Sequence, residues 1–324
     1  MIRGDADAPS RNIHCDMPSS SATNPRALRV LFASYGLGPE NQPCGDQATL
    51  LIALLGVYGR HGLLPSGKPQ PLCAVCPRAR LCWAKQPPES RRVGDDIDGE
   101  DGSICLPWVG EDYRRGGVCV LAMNFNIGPH DPTNLMIGFD IVLRQYLPAL
   151  RAGRRAIGGS RVLSGIARTA AALLDVLDGK PVIDREAVQL ADTYARIAQL
   201  QAVKCIPIKE RSVPSPTMWR ECSQLLLGEE LDVLKPSMLV ALGTESQRVV
   251  ERLEGYDPFT GPDPSIGTLR RGDYALTAYG VAHPAFHGAY ESETQLLEEL
   301  RRANPPETGV TRKPQPGLEA GQLL

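Results

Sequence analysis

The sequence lacks the features that mark membrane-spanning and secreted proteins. No apolar run reaches the roughly 18 residues that a bilayer-spanning helix needs, and the first 26 residues contain no apolar segment of a secretory signal. An excess of charge of one sign is also missing. The formal net charge of −2 argues against a generally basic coat for nucleic acid but not against a local basic face. We therefore expect a cytoplasmic protein, nucleoid-associated if bacterial, that is monomeric and binds no membrane.

Composition divides the 324-residue chain into four parts. Residues 1–26 are rich in Ser, Pro, Asp and Asn, which predicts a disordered segment. Residues 27–71 form an N-terminal extension that is partly helical, since 47–59 is apolar enough for a buried helix. Residues 72–303 carry the remaining helix and strand patterns and predict the main domain. Residues 304–324 form a Pro/Gly-rich tail that we expect to be flexible.

Four apolar runs of strand length alternate with helical patterns in the main domain. These runs cover 118–123, 201–206, 237–242 and 274–279. Strands that are separated by helices form parallel sheets with right-handed crossovers. The sequence therefore predicts an α/β fold with three layers, α/β/α, around a central four-stranded parallel sheet. Ligands of such sheets bind at the carboxyl ends of the strands, so we expect the site in the loops that follow them.

Nine cysteines are present, an odd number in a chain too long to need disulfide staples. In a reducing compartment they are either buried apolar residues or metal ligands. Cys73 and Cys76 have the C-x2-C spacing that lets two thiolates of one turn bind the same metal, and Cys205 and Cys222 would supply two more. Four thiolates suit either a 4Fe-4S cluster or a structural zinc, and the spacing does not choose between them. Cys82 either replaces one of the four or packs nearby.

Polar residues follow the first and the last predicted strands. Pro284 ends the last strand and fixes the turn, so His283 is held at the carboxyl edge of the sheet. Asn124 follows the first strand, where it either acts at the same edge or caps a turn. Both residues are therefore candidates for the site expected at that edge.

The segment 201–243 resembles the iron-sulfur uracil-DNA glycosylases known as family 4. In that family a strand ends in cysteine, a proline-containing loop carries an Asn-Arg pair, a helix supplies another cysteine, and a Pro-initiated strand ends in Leu-Gly. The matching residues here are Cys205, Pro207, Arg211, Cys222, Pro236 and Leu242-Gly243. The resemblance extends over about residues 72–303 and implies the same three-layer fold. It favours a 4Fe-4S cluster over zinc, with the ligands Cys73, Cys76, Cys205 and Cys222.

The resemblance also implies roles for residues at the active edge. The sequence His283-Pro284-Ala285 resembles a motif of the uracil-DNA glycosylase superfamily whose histidine donates to the uracil oxygen on which charge develops. Asn124 matches the asparagine of a Gly-x-Asn-Pro-Gly motif that orients the attacking water, although both glycines and the proline are missing here. Phe125 would cover the extruded base, and Asn126 would be a further base contact.

Glu210 is the most consequential departure from the family. The family has an asparagine here, whose amide both donates to and accepts from the uracil edge. An ionised carboxylate only accepts, so Glu210 would bind a base that presents an amino group or ring NH. Either the substrate differs from uracil, or the loop is shifted and Glu210 lies outside the pocket, or the protein binds DNA without cleaving it.

Arginines are the predicted DNA contacts, because phosphate contacts position a nucleic acid without reading its sequence. The candidates are Arg211, Arg270 and Arg271. Arg270 and Arg271 are favoured because they precede the last predicted strand in a segment similar to an Arg-Gly approach of the family. We expect them to lie near the active edge.

These observations predict a DNA glycosylase-like hydrolase. It would flip a damaged, deaminated uracil-type base out of single- or double-stranded DNA and cleave its N-glycosidic bond in DNA repair. An alternative from another class is a non-catalytic nucleic-acid-binding protein that retains the glycosylase fold and the iron-sulfur site. A third hypothesis is a zinc-stabilised α/β protein unrelated to DNA.

Overall fold

The structure is a computed structural model. It describes residues 43, 45–64, 76–79, 82, 104, 106–123, 141–154, 162–204, 214, 216–260, 265–284 and 289–303.

The described strands form one mixed sheet of seven. They are β1 (Trp108–Val109), β2 (Val118–Ala122), β3 (Ile197–Gln201), β4 (Met238–Leu242), β5 (Tyr256–Thr260), β6 (Ser265–Arg271) and β7 (Tyr274–Val281). Their order is β1-β3-β2-β4-β7-β6-β5. The pairs β3/β2, β2/β4 and β4/β7 are parallel, and the other three pairs are antiparallel. An α/β fold is confirmed, but a sheet of four parallel strands is wrong, because those four are the centre of a mixed sheet.

Three of the four predicted parallel strands are confirmed as β2, β4 and β7. The fourth was predicted over 201–206, whereas β3 ends at Gln201. The error arose because β3 begins directly after a helix, and because the buried side chains of Gln199 and Gln201 make the strand look polar. Periodicity alone could not separate this strand from the helix before it.

The antiparallel strands β5 and β6 are not among the strands that the sequence predicted. The sequence between Tyr256 and Arg271 contains three prolines, two glycines and two aspartates, which is typical of turns. Pro258 is nevertheless compatible with β5, because β5 is the edge strand and not every backbone N–H of an edge strand is needed for the ladder.

Eight α-helices are described, and the first agrees with the buried helix predicted over 47–59. They are α1 (Gly45–Arg60), α2 (Leu147–Arg151), α3 (Val162–Leu177), α4 (Ala187–Arg196), α5 (Pro216–Cys222), α6 (Gly228–Leu234), α7 (Thr244–Glu251) and α8 (Ala289–Ala303). A π-helical turn, Ile141–Tyr146, leads into α2, and a second, Ser223–Leu227, joins α5 to α6. No helix in these ranges is both long enough and apolar enough to cross a bilayer.

The helices pack in two groups around the sheet. Helices α2, α3, α4 and α8 contact one another, and α1, α5, α6 and α7 form a second connected set. The helix of the N-terminal extension, α1, belongs to the second set, where the side-chain amide of Gln47 donates to the carbonyl of Val109 in β1 at 2.6 Å. The strand β2 is buried along its whole length, including Cys119.

Candidate active site

The sheet topology marks one edge as the place for a ligand. From β2 the chain goes to β3 on one side and then crosses to β4 on the other side. A reversal of this kind opens a crevice outside the carboxyl ends of the strands, which is where open α/β sheets bind their ligands. The carboxyl ends of β2 and β4 therefore mark the candidate site, with β3 and β7 on either side.

His283 lies at this edge, two residues after the end of β7. Gly243, which follows the end of β4, has a positive φ of 84°. A Cβ atom on Gly243 would lie 3.1 Å from the Cβ of His283, so the glycine lets the two loops approach closely. Burial lowers the pKa of His283 below its usual value of 6.5. The imidazole is therefore neutral near pH 7 and can present one N–H as a donor.

The turn that carries His283 is supported by two helices. Gly165 of α3 faces Pro284, and a Cβ there would lie 2.9 Å from the proline Cβ. Next to it, Arg168 binds the carboxylate of Glu293 in α8 through Nε and Nη2, at 2.7 and 2.9 Å. Burial raises the pKa of Glu293 above its usual range, against the opposing effect of Arg168. The ion pair thus joins α3 to α8 beside the His283-Pro284 turn.

Gln201, at the carboxyl end of β3, is a candidate residue that sequence reasoning missed. It is 1% exposed, and neither its amide nitrogen nor its amide oxygen has a hydrogen-bond partner within the described residues. An unpaired buried amide is uncommon in proteins and calls for an explanation. The available signal was its position, because a glutamine that ends a buried strand places an amide at the ligand edge.

Gln201 and Val281 lie in the same row of the sheet, so their side chains point to the same face. The row before it consists of Leu200, Leu121, Ala241 and Gly280. His283 follows Val281 by two residues. The unpaired amide and the histidine therefore stand at one edge of the sheet, with the carboxyl ends of β2 and β4 between them.

Several predicted site residues lie outside the described residues. They are Asn124, Phe125, Asn126, Glu210 and Arg211, and the cysteines Cys73 and Cys205. Met123, which precedes the Asn124 segment, is described, and its carbonyl accepts from the backbone N–H of Val203 at 3.0 Å. The segment that leads to Asn124 therefore starts beside the segment that leads to Cys205.

The described cysteines come from segments that approach one another. The backbone N–H of Lys204 donates to the Sγ of Cys222 at 3.2 Å, so the residue before Cys205 contacts the thiol predicted to share its metal. Arg78 forms an ion pair with Glu221 at 3.6 Å, which links the turn after Cys76 to α5. The predicted ligand segments thus converge, as a metal site requires.

The set of four thiolate ligands predicted from the sequence is described only in part. Among the described residues, no three Cys, His, Asp or Glu side chains are grouped as metal ligands. Two of the four predicted ligands, Cys76 and Cys222, are described, and both contact the hydrophobic core. Cys82 is also buried, and its backbone N–H donates to the carbonyl of Arg78 at 3.0 Å. These contacts leave both a cluster and zinc open.

The predicted position of Arg270 and Arg271 near the active edge is wrong. Arg271 pairs with Tyr274 in the sheet, at the start of β7, whereas His283 follows its end. The seven residue steps of β7 separate the two edges by about 23 Å. Arg271 is also bound to the carboxylate of Asp232, with two contacts of 2.7 Å. The physical reason is simple: residues that precede a parallel strand lie at its amino end, opposite the ligand edge.

Most other basic side chains of the described chain are paired with carboxylates. The pairs include Arg60–Glu229, Arg114–Asp46, Arg185–Asp175, Lys235–Asp273 and Arg301–Asp184. At the ligand edge lies the start of α7, which has Glu245 in its first turn. Its first backbone bond runs from Gln247 N–H to the Gly243 carbonyl at 3.1 Å, so the three amides before Gln247 precede the bonded part of the helix.

The chain matches no family model, and no curated protein matches it in sequence.

Proposed function

We propose that the protein is a DNA glycosylase-like hydrolase, which extrudes a deaminated base from DNA and cleaves its N-glycosidic bond. The observation that carries the proposal is that two groups stand at the ligand edge of the sheet: the buried amide of Gln201, which has no hydrogen-bond partner among the described residues, and His283, whose pKa burial lowers. Enzymes that act on a base in DNA take it out of the stack and hold it in such a pocket.

The spacing of the two side chains suits a single base. Between β3 and β7 lie β2 and β4, which makes three strand spacings or about 14 Å. A planar base and the two side chains can span this separation. Both side chains approach from strand ends, so the pocket would be held by the rigid part of the fold.

Gln201 is suited to read the edge of the base. Its amide offers both donors and an acceptor, as the edge of uracil requires. A buried amide without a partner costs about 1–3 kcal/mol, which hydrogen bonds to a bound base would recover. We therefore assign base reading to Gln201, in place of the role that the sequence suggested for Glu210.

His283 would act on the leaving base. As the glycosidic bond breaks, negative charge develops on the base, and an N–H donor placed at its oxygen stabilises that charge. A neutral imidazole donates without the desolvation cost of burying a cation. The attacking water would be oriented by Asn124, which follows Met123 at the end of β2.

The cysteines would hold a 4Fe-4S cluster, with a structural zinc as the alternative. Such a centre fixes the segments that carry its ligands, here the turn at Cys76, the segment after Lys204 and the helix at Cys222. We propose no part for it in bond cleavage. DNA phosphates would approach the start of α7, because the helix dipole and free amides there favour an anion.

Strand cleavage revealed by alkali tests the proposal. End-labelled single- and double-stranded oligonucleotides carrying uracil, hypoxanthine or xanthine are incubated with the parent protein and with His283→Ala. Abasic sites formed by the parent, and strongly reduced in the variant, are the expected result. Oligonucleotide binding without product on any base would instead identify a non-catalytic nucleic-acid-binding protein.

A further inference from the structure

Lys204 is buried in a way that lysine seldom is. Its side chain is 0% exposed, and it lies between the end of β3 at Gln201 and the predicted ligand Cys205. Lysine is almost never fully buried unless it is paired. The segment that connects the proposed base-reading residue to the proposed metal site therefore passes through a buried charge.

Two contacts hold Lys204, and a third holds its partner Glu230. Its Nζ lies 2.6 Å from Oε2 of Glu230, which is also fully buried. The other carboxylate oxygen of Glu230 accepts a hydrogen bond of 2.5 Å from the hydroxyl of Tyr58 in α1. The backbone N–H of Lys204 donates to the Sγ of Cys222. Helices α1, α5 and α6 are thus joined at one residue of the segment after β3.

Stability alone does not account for this arrangement. A buried ion pair gains little over apolar residues of similar size, because both charges have lost their hydration. A surface pair such as Arg271–Asp232 would join two elements at a lower desolvation cost. What the buried pair offers is a fixed geometry, since a buried ammonium whose carboxylate partner among the described residues is Glu230 has one place in which its charge is compensated.

We propose that Lys204 is a positioning residue, held by Glu230 and Tyr58, that sets the place of Gln201 and of the described backbone that leads to Cys205. The inference rests on the proposed function for the roles of those two residues. Its structural content is independent of that function: the ion pair orders the backbone from Ala202 to Lys204.

Two variants separate positioning from simple support of the fold. Glu230→Gln leaves the buried lysine without a counter-charge and should lower stability. The double variant Lys204→Met with Glu230→Gln removes both charges and keeps an acceptor for Tyr58, so its thermal midpoint should return close to that of the parent. The matched control neutralises the exposed pair at the opposite edge, with Arg271→Met and Asp232→Asn.

Hydrogen–deuterium exchange of the peptide 197–204 reads the positioning directly. Its last three amides donate to the carbonyls of Ala122 and Met123 and to the Sγ of Cys222. In the double variant we expect these amides to exchange about 10–100-fold faster than in the parent. Bound metal should be released faster by the same factor, which is the range for loss of a group that orients a metal ligand. The control variant should match the parent in both measurements.

The outcomes distinguish this inference from the proposed function. Parent-like exchange in the double variant would overturn the positioning role, whether or not the protein binds metal. Faster exchange with unchanged metal release would overturn the link to Cys205. A parent that retains neither iron and sulfide nor zinc would overturn the proposed metal site, and exchange would still decide the positioning role.

Discussion

Gln201 combines a cost to stability with a proposed function. Its amide is buried and has no hydrogen-bond partner among the described residues, and groups of this kind are one mark of a functional site. Asn124 was found by its place in a motif, whereas Gln201 was hidden, because an isolated glutamine in an apolar run carries no motif. The deciding property, an unpaired amide, is visible only once the neighbouring strands are in place.

We predict that Gln201→Leu raises stability and abolishes base excision. The leucine removes an unpaired buried amide, so the free energy of unfolding in urea should rise by about 1–3 kcal/mol. Gln199→Leu is the matched control, because Gln199 is also buried and its oxygen also lacks a partner among the described residues. Excision retained in Gln201→Leu but lost in Gln199→Leu would contradict the assignment.

His283 gives the fold a defined dependence on pH. Its pKa in the folded chain is lowered by burial from the usual 6.5. Below about pH 6.5 the histidine takes up a proton in the unfolded chain more readily than in the folded chain. The free energy of unfolding therefore falls as the pH falls. We expect a steeper fall for the parent than for His283→Gln in urea titrations between about pH 6.5 and about pH 5. Equal slopes would show that the histidine is not held neutral by its surroundings.

At the scale of elements, helix α3 positions the histidine turn through Gly165. A methyl group there would meet Pro284 at 2.9 Å, so Gly165→Ala must displace the turn or the helix. We predict a loss of about 1–3 kcal/mol in unfolding free energy, as for overpacked sites, together with reduced excision. Gly56→Ala is the control in α1, where the nearest atom is 3.9 Å away.

The control should move in the opposite direction. Alanine at Gly56 lowers the entropy of the unfolded chain without a clash, and a gain of about 0.5–1 kcal/mol is expected. Urea unfolding of both variants provides the comparison. A stabilised Gly165→Ala protein with parent-like excision would show that α3 does not fix the turn.

Elements whose apolar residues recur regularly could be predicted from the sequence, and elements interrupted by polar residues, prolines or glycines could not. The strands β2 and β4 follow from short apolar runs at 118–123 and 237–242, each of strand length. Strand β3 was displaced because two polar residues interrupt it, and the β5–β6 hairpin was missed because prolines and glycines lie within it. In both cases the pairing partner, which lies far along the chain, decides the structure.

At the scale of the whole molecule, the sheet has two edges with different roles. The ligand edge carries Gln201, Gly243 and His283, while the opposite edge carries Arg271 bound to Asp232. The sequence located the histidine because a strand precedes it directly. It misplaced the arginines because the chain enters β7 from an antiparallel hairpin, which brings them to the amino end of that strand.

The central claim is that base cleavage occurs at the carboxyl edge of the parallel strands. The most direct test is to measure the free base released from a uracil-containing oligonucleotide. Three proteins are compared: the parent, His283→Ala, and Arg270→Ala at the opposite edge. We expect the parent and Arg270→Ala to release the base. In His283→Ala the rate of base release should fall about 10²-fold or more, as for removal of one charge-stabilising donor. Parent-like release by His283→Ala, or release that depends on Arg270 instead, would contradict it.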